Sequence, residues 1–170
     1  MIIEIFSHFA ESWLLFAQKA VAEKRMKQEY DYGLLKVTGS LGEYNKVVAA
    51  LEEIKAYDAS LFDSIIKTVK RIIFVGSKGS DVFLSKRTIL ISENDQSHMA
   101  SPIHLAGWLL YYYALLYSVK EIGLLRWSGT RYFKAKEEGK RLRENFLTGA
   151  SPCEVEAGSG SETSKTKAAD

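Results

Sequence analysis

The side chains best suited to chemistry in this sequence are few, and they gather near one stretch. Histidines occur only at positions 8, 98 and 104. His98 and His104 flank the start of an apolar segment that contains the triplet Tyr111, Tyr112 and Tyr113. An imidazole can bind a metal or move a proton, but a separation of six residues is not a recognised metal-ligand spacing. Metal-free histidines at a loop or cap are ordinarily solvated, and that is the expectation for both. The tyrosines are neighbours in sequence, so on a helix they point about 100° apart and form no single stacking platform. Their plain reading is core aromatics with hydroxyls reaching the core edge. The alternative is a pocket built from His104, Trp108 and Glu138 beside the tyrosines.

Other chemistries lack their patterns. Serines and aspartates are plentiful, yet no G-x-S-x-G elbow is present. The segment GSKGSD (76–81) has the look of a phosphate loop without the G-x-x-x-x-G-K-[ST] spacing. A hairpin turn accounts for its glycines. Cys153, the one cysteine, falls in a polar region, which leaves neither a disulfide framework nor a cysteine metal cluster. The reading therefore assigns no metal and no cofactor.

Composition narrows the class of partner. With 170 residues and 46% hydrophobic content, the chain can bury a real core. A net charge of +2 gives no argument for nucleic acid. The start MIIEIFSHFAE has no basic n-region, and Glu4 and Glu11 interrupt it. This is unlike a secretory signal, and a cytoplasmic location is expected.

The elements that must position these residues are organised around Ser101–Val119, SPIHLAGWLLYYYALLYSV, in which no Asp, Glu, Lys or Arg occurs. Ser101 is a good N-cap and Pro102 suits the first helical position. From Leu105 onward apolar residues cover every face, so the helix is buried in a core or in a bilayer. The strongly apolar part is shorter than the roughly 20 residues of a membrane span.

Around it, residues 2–29 read as a first helix, with Ile2, Phe6, Phe9, Trp13, Phe16 and Ala20 on one face. That face packs on a core or, as the alternative, lies on a membrane surface. Gly33, Gly39 and Gly42 mark a loop. Glu43–Tyr57 and a helix capped by Asp58 or Ser60 form a helical hairpin. Residues 71–76 and 82–92 read as an antiparallel strand pair, with 88–91 the clearest part. Residues 93–100 form a loop. The last helix covers 130–147, with Tyr132, Ala135, Gly139, Leu142 and Phe146 on one seam. Its charged face mixes both signs, which is typical of a solvated surface rather than a nucleic-acid site. The expected architecture is α+β: about five helices with a small antiparallel β-hairpin packed on a central buried helix. It occupies residues 1–147 as one domain, followed by a disordered polar tail at 148–170.

The stretches GEYNKVVAALEEIKAYDASLFDSIIKTVKRIIFV, SKRTILIS and SPIHLAGWLLYYYALLY together resemble small zinc metallopeptidase-like domains. In those domains a helical pair leads into strands, then into a helix carrying H-E-x-x-H, then into another helix. The resemblance places Tyr111 at the first histidine, Tyr112 at the glutamate and Leu115 at the second histidine. Zinc peptidases need two imidazoles at i and i+4 and an adjacent carboxylate to take a proton from the metal-bound water. Tyrosine and leucine cannot do this, and Glu137, Glu138 or Glu144 alone would not make a site. The resemblance thus implies a scaffold that has lost its metal and acts through binding, with a protein as partner.

Overall fold

The computed structural model of the chain describes residues 27–76, 79–122 and 129–149. Five strands and five helices follow in order: β1 Gln28–Tyr32, β2 Leu35–Gly39, α1 Leu41–Tyr57, α2 Ala59–Thr68, β3 Arg71–Val75, β4 Asp81–Phe83, β5 Thr88–Ser92, α3 Gln96–Met99, α4 Pro102–Ile122 and α5 Gly129–Thr148. The class is α+β, as expected, but the sheet is larger than a hairpin.

The five strands make one sheet in the order β1-β2-β3-β5-β4. The inner neighbours β2-β3 and β3-β5 are parallel, and the outer pairs β1-β2 and β5-β4 are antiparallel. This corrects the expected pairing of residues 71–76 with 82–92. Only the β4-β5 part of the second segment turns back on itself, and β3 lies parallel to β5 with Ile73 opposite Leu90. The GSKGSD segment is accordingly not a hairpin turn, since β5 separates the two strands it joins.

A second correction concerns residues 28–42. Gln28 and Glu29, expected at the end of the first helix, are strand residues opposite Gly39 and Thr38. The rest of that expected helix lies outside the described residues. Gly33 and Leu34 link β1 to β2, and Gly33 takes a φ of 61° that a side chain would resist. Leu35 and Val37 alternate inward with Lys36 outward, the period-two pattern of a strand.

Local chemistry fixes the helical pair. Ser40 and Glu43 form a reciprocal capping box at the start of α1. Asp58 accepts from the amides of Ser60 and Leu61 at 2.8 and 3.0 Å, capping α2, while its own N–H closes α1 onto Ile54. One residue therefore ends one helix and begins the next.

The main core brings together Leu35 and Val37 of β2, Val47, Leu51 and Ile54 of α1, Ile72 and Phe74 of β3, Ile89 and Ile91 of β5, and Leu105, Leu109, Leu110 and Leu116 of α4. α4 packs against α1, α2, α3 and α5. Its closest neighbour is α5, where a Cβ at Gly139 would stand 2.7 Å from the Tyr111 carbonyl oxygen.

Backbone cannot yield to such a contact as a flexible side chain can. Gly139→Ala is therefore expected to cost about 1–3 kcal/mol of stability by overpacking, read as a shift of the urea midpoint. Gly107→Ala, which would meet the side chain of Arg143 at 3.2 Å, should cost less. Equal losses from the two variants would refute this account of the α4–α5 approach.

Candidate functional site

One buried hydroxyl of the central helix, that of Tyr112, meets His98. This residue belongs to the single turn α3, and it is buried rather than solvated, with 5% of its surface exposed. That overturns the expectation from its place in the sequence. Three residues earlier, Asp95 presents a carboxylate oxygen 2.5 Å from His98 Nδ1. On the other side, His98 Nε2 lies 3.1 Å from the Tyr112 hydroxyl. If Asp95 accepts from Nδ1–H, a neutral ring leaves Nε2 as the acceptor for the Tyr112 O–H. Ser97 completes the carboxylate's shell, its hydroxyl donating to Asp95 Oδ1 at 2.6 Å.

One face of the ring is occupied too. Trp108 stacks on His98 at 4.0 Å between centroids and 18° between planes. The guanidinium of Arg143, from α5, sits 4.2 Å from the centre of the Trp108 ring, a cation–π contact. Helical spacing brings this about: Trp108 and Tyr112 are one turn apart on α4 and face the same way. The indole Nε1 of Trp108 and Nε of Arg143 are buried with no hydrogen-bond partner among the described residues, and the two side chains meet by stacking.

A carboxylate that orients an imidazole beside a hydroxyl is the usual arrangement of an activated nucleophile. Here the hydroxyl is buried: Tyr112 is 6% exposed. An open groove of about 720 Å³ runs along the outer face of α5, from Thr130 to Glu144, and a hollow of about 140 Å³ lies by Lys46, Met99 and Leu105. Neither is lined by Asp95, His98, Trp108 or Tyr112. The assembly is a packed polar cluster that joins the turn before α4 to α4 itself.

Proton affinities follow from this packing. Burial pushes the Tyr112 phenol well above the ordinary tyrosine range, and it raises Tyr111 and Tyr113 as well. For Asp95, partial burial works upward, but the hydrogen bonds from Ser97 and His98 outweigh it and hold the carboxyl below its ordinary value.

The residues singled out in the sequence have separate partners. His104 is exposed and bonds through Nδ1 to the Ser101 hydroxyl at 2.8 Å. Glu138 is exposed and pairs with Arg141 at 2.9 Å. Trp108 alone joins the cluster. Of the positions matched to the peptidase motif, Tyr111 abuts Gly139 of α5, Tyr112 bonds to His98, and Leu115 is 2% exposed in the core. Tyr113, next to them, bonds to Ser64 of α2 at 2.7 Å. Among the described residues no group of three or more His, Cys, Asp and Glu side chains is placed to hold a metal ion. Sequence reasoning missed Asp95, Ser97 and Arg143. The i, i+3 spacing of Asp95 and His98 was the available signal. Comparison with family models, with curated proteins and with solved structures gives no match.

Two outcomes are expected of this cluster. Tyr112→Phe leaves His98 Nε2 buried without a partner and should cost about 1–3 kcal/mol in urea denaturation. A loss no larger than that of an exposed tyrosine would refute the bond. The buried tyrosines also set a pH dependence. Their folded pKa values exceed the unfolded value of about 10, so the stability they confer is full below that pH and falls as pH rises toward the folded values. Tyrosinate absorbance should then show the buried phenols ionising only as the chain unfolds. At the acid end the sign reverses. Asp95 stabilises the fold above its unfolded pKa of about 3.9, and the contribution is lost as pH falls through its lower folded value. Asp95→Asn should flatten the acid limb of stability against pH.

Proposed function

We propose that this chain is a non-catalytic domain of metallopeptidase-like layout that acts through binding, with a protein as its partner. One observation carries the reading. The three positions where such a domain would place its two zinc-binding imidazoles and its catalytic carboxylate are given over to packing: Tyr111 to α5, Tyr112 to His98 and Leu115 to the core. The order of elements supports the layout, since the helical pair α1–α2 precedes the strands β3 and β5, then α4, then α5. Leu115 has no lone pair for zinc, and the phenols of Tyr111 and Tyr112, which burial keeps protonated, are poor ligands and no base for a metal-bound water.

A membrane role for the central segment has less support. α4 is covered by four other helices, and among the described residues no helix is long and apolar enough to cross a membrane.

The experiment is elemental mass spectrometry on the full chain after equilibration with zinc and dialysis, with a peptide-hydrolysis assay in parallel. The expected result is no stoichiometric zinc and no hydrolysis. About one zinc per chain, as in a mononuclear site, would overturn the proposal. The triple variant Tyr111→His, Tyr112→Glu, Leu115→His restores the motif. If it folds, as circular dichroism can check, it should take up one zinc. A folded variant that takes up none would refute the metallopeptidase-like layout.

A further inference from the structure

The sheet has two faces, and the described helices account for one. Along β3 and β5 the side chains alternate: Ile72, Phe74, Ile89 and Ile91 join the main core with the helices, while Ile73, Val75 and Leu90 form a separate apolar cluster containing strand residues alone. These three are 4%, 2% and 6% exposed. No described helix contributes to their cluster, yet they are as dry as the main core. The strands themselves carry the same message. RIIFV and TILIS do not alternate apolar with polar, which is the mark of inner strands covered on both faces.

We propose that residues 2–20 of this chain are that cover: an amphipathic helix docked across the outer face of the sheet on Ile73, Val75 and Leu90. The segment supplies the right surface, because Ile2, Phe6, Phe9, Trp13, Phe16 and Ala20 recur every three or four residues on one side. It also starts from the right place. The side chain of Lys27, where the described chain begins, donates to the Phe74 carbonyl at 2.7 Å and pairs with Glu93. This fixes the exit of the segment at the rim of the sheet beside Val75. Length suffices: nineteen helical residues extend about 28 Å, and five strands span about 19 Å from first to last. Along β3 burial is deepest at that rim, with Val75 at 2%, and it fades at the opposite end, where the side chain of Arg71 is 35% exposed.

Hydrogen exchange on the full-length chain, read by mass spectrometry, tests the assignment. Amides in 2–20 should exchange at least about tenfold more slowly than in an unstructured chain, at every protein concentration and without lipid. A second measurement uses Leu90→Cys in a Cys153→Ser background. The introduced thiol should resist alkylation, and adding Phe9→Asp and Trp13→Asp should expose it without loosening α4. Exchange of 2–20 at unstructured rates would overturn the proposal. So would a thiol that stays shielded after the two aspartates are introduced. Protection that appears only with phosphatidylglycerol vesicles would assign the segment to a membrane surface instead, and protection lost on dilution would assign it to a second copy of the chain.

Discussion

A helix with no polar face has to be covered on every side, and that requirement shapes the structure around α4. Leu105, Leu109, Leu110 and Leu116 are at most 1% exposed, and each such side chain contributes roughly 1.5–3 kcal/mol when removed from water. To supply the cover, α1, α2, the short turn α3 and α5 all pack against α4. The last of these can come close because Gly139 has no side chain to keep it away. The sheet closes the core through its inner face. Each of these elements is too short or too polar outside to be stable alone, and each acquires its apolar partner from the same central helix.

The polar cluster around His98 fits the same constraint. An apolar helix entering a core gives little information about where along its length it should stop. The bonds from Asp95 to His98 and from His98 to Tyr112 tie the incoming chain to one turn of α4 and to no other. Buried polar groups that are mutually satisfied select a unique arrangement more than they add stability. Trp108 and Arg143 extend this selection to α5, so that three successive elements are keyed to one another by one stack of rings.

How much of this could be read in the sequence depended on whether the signal was local. The helical pair and the last helix are announced by periodicity, the second helix of the pair and the central helix by the caps Asp58 and Ser101, whereas the cap Ser40 was hidden between Gly39 and Gly42 and the first start was read at Glu43. The strands near 72–75 and 88–91 were legible as well, because IIFV and TILI are runs of β-branched and other apolar residues. Their direction was not. Whether β3 runs with or against β5 depends on where the chain goes between residues 76 and 88, and no residue type records that β4 takes the outside position. The β1–β2 hairpin was hidden by its shortness: Tyr30, Tyr32, Leu35 and Val37 carry the alternation, but Gly33 and Gly39 made the segment look like loop. At the candidate site, Trp108 was recognised as an aromatic near the histidines. His98 was discounted because a histidine three residues from the nearest helix start looks solvated until Asp95 and Tyr112 are seen on either side.

Among the described residues the sheet ends at β1 on one side and at β4 on the other, and both margins are poor templates for adding another strand. On the β1 side the neighbouring surface carries Glu29, Asp31, Lys36 and Arg71 in a mesh of ion pairs, and charge of that kind is how natural sheets discourage intruding strands. On the other side β4 is three residues long and gives way at once to a tight turn at Leu84–Lys86. A sheet built this way grows no further by its margins alone, because each of them carries a feature that discourages edge-to-edge pairing.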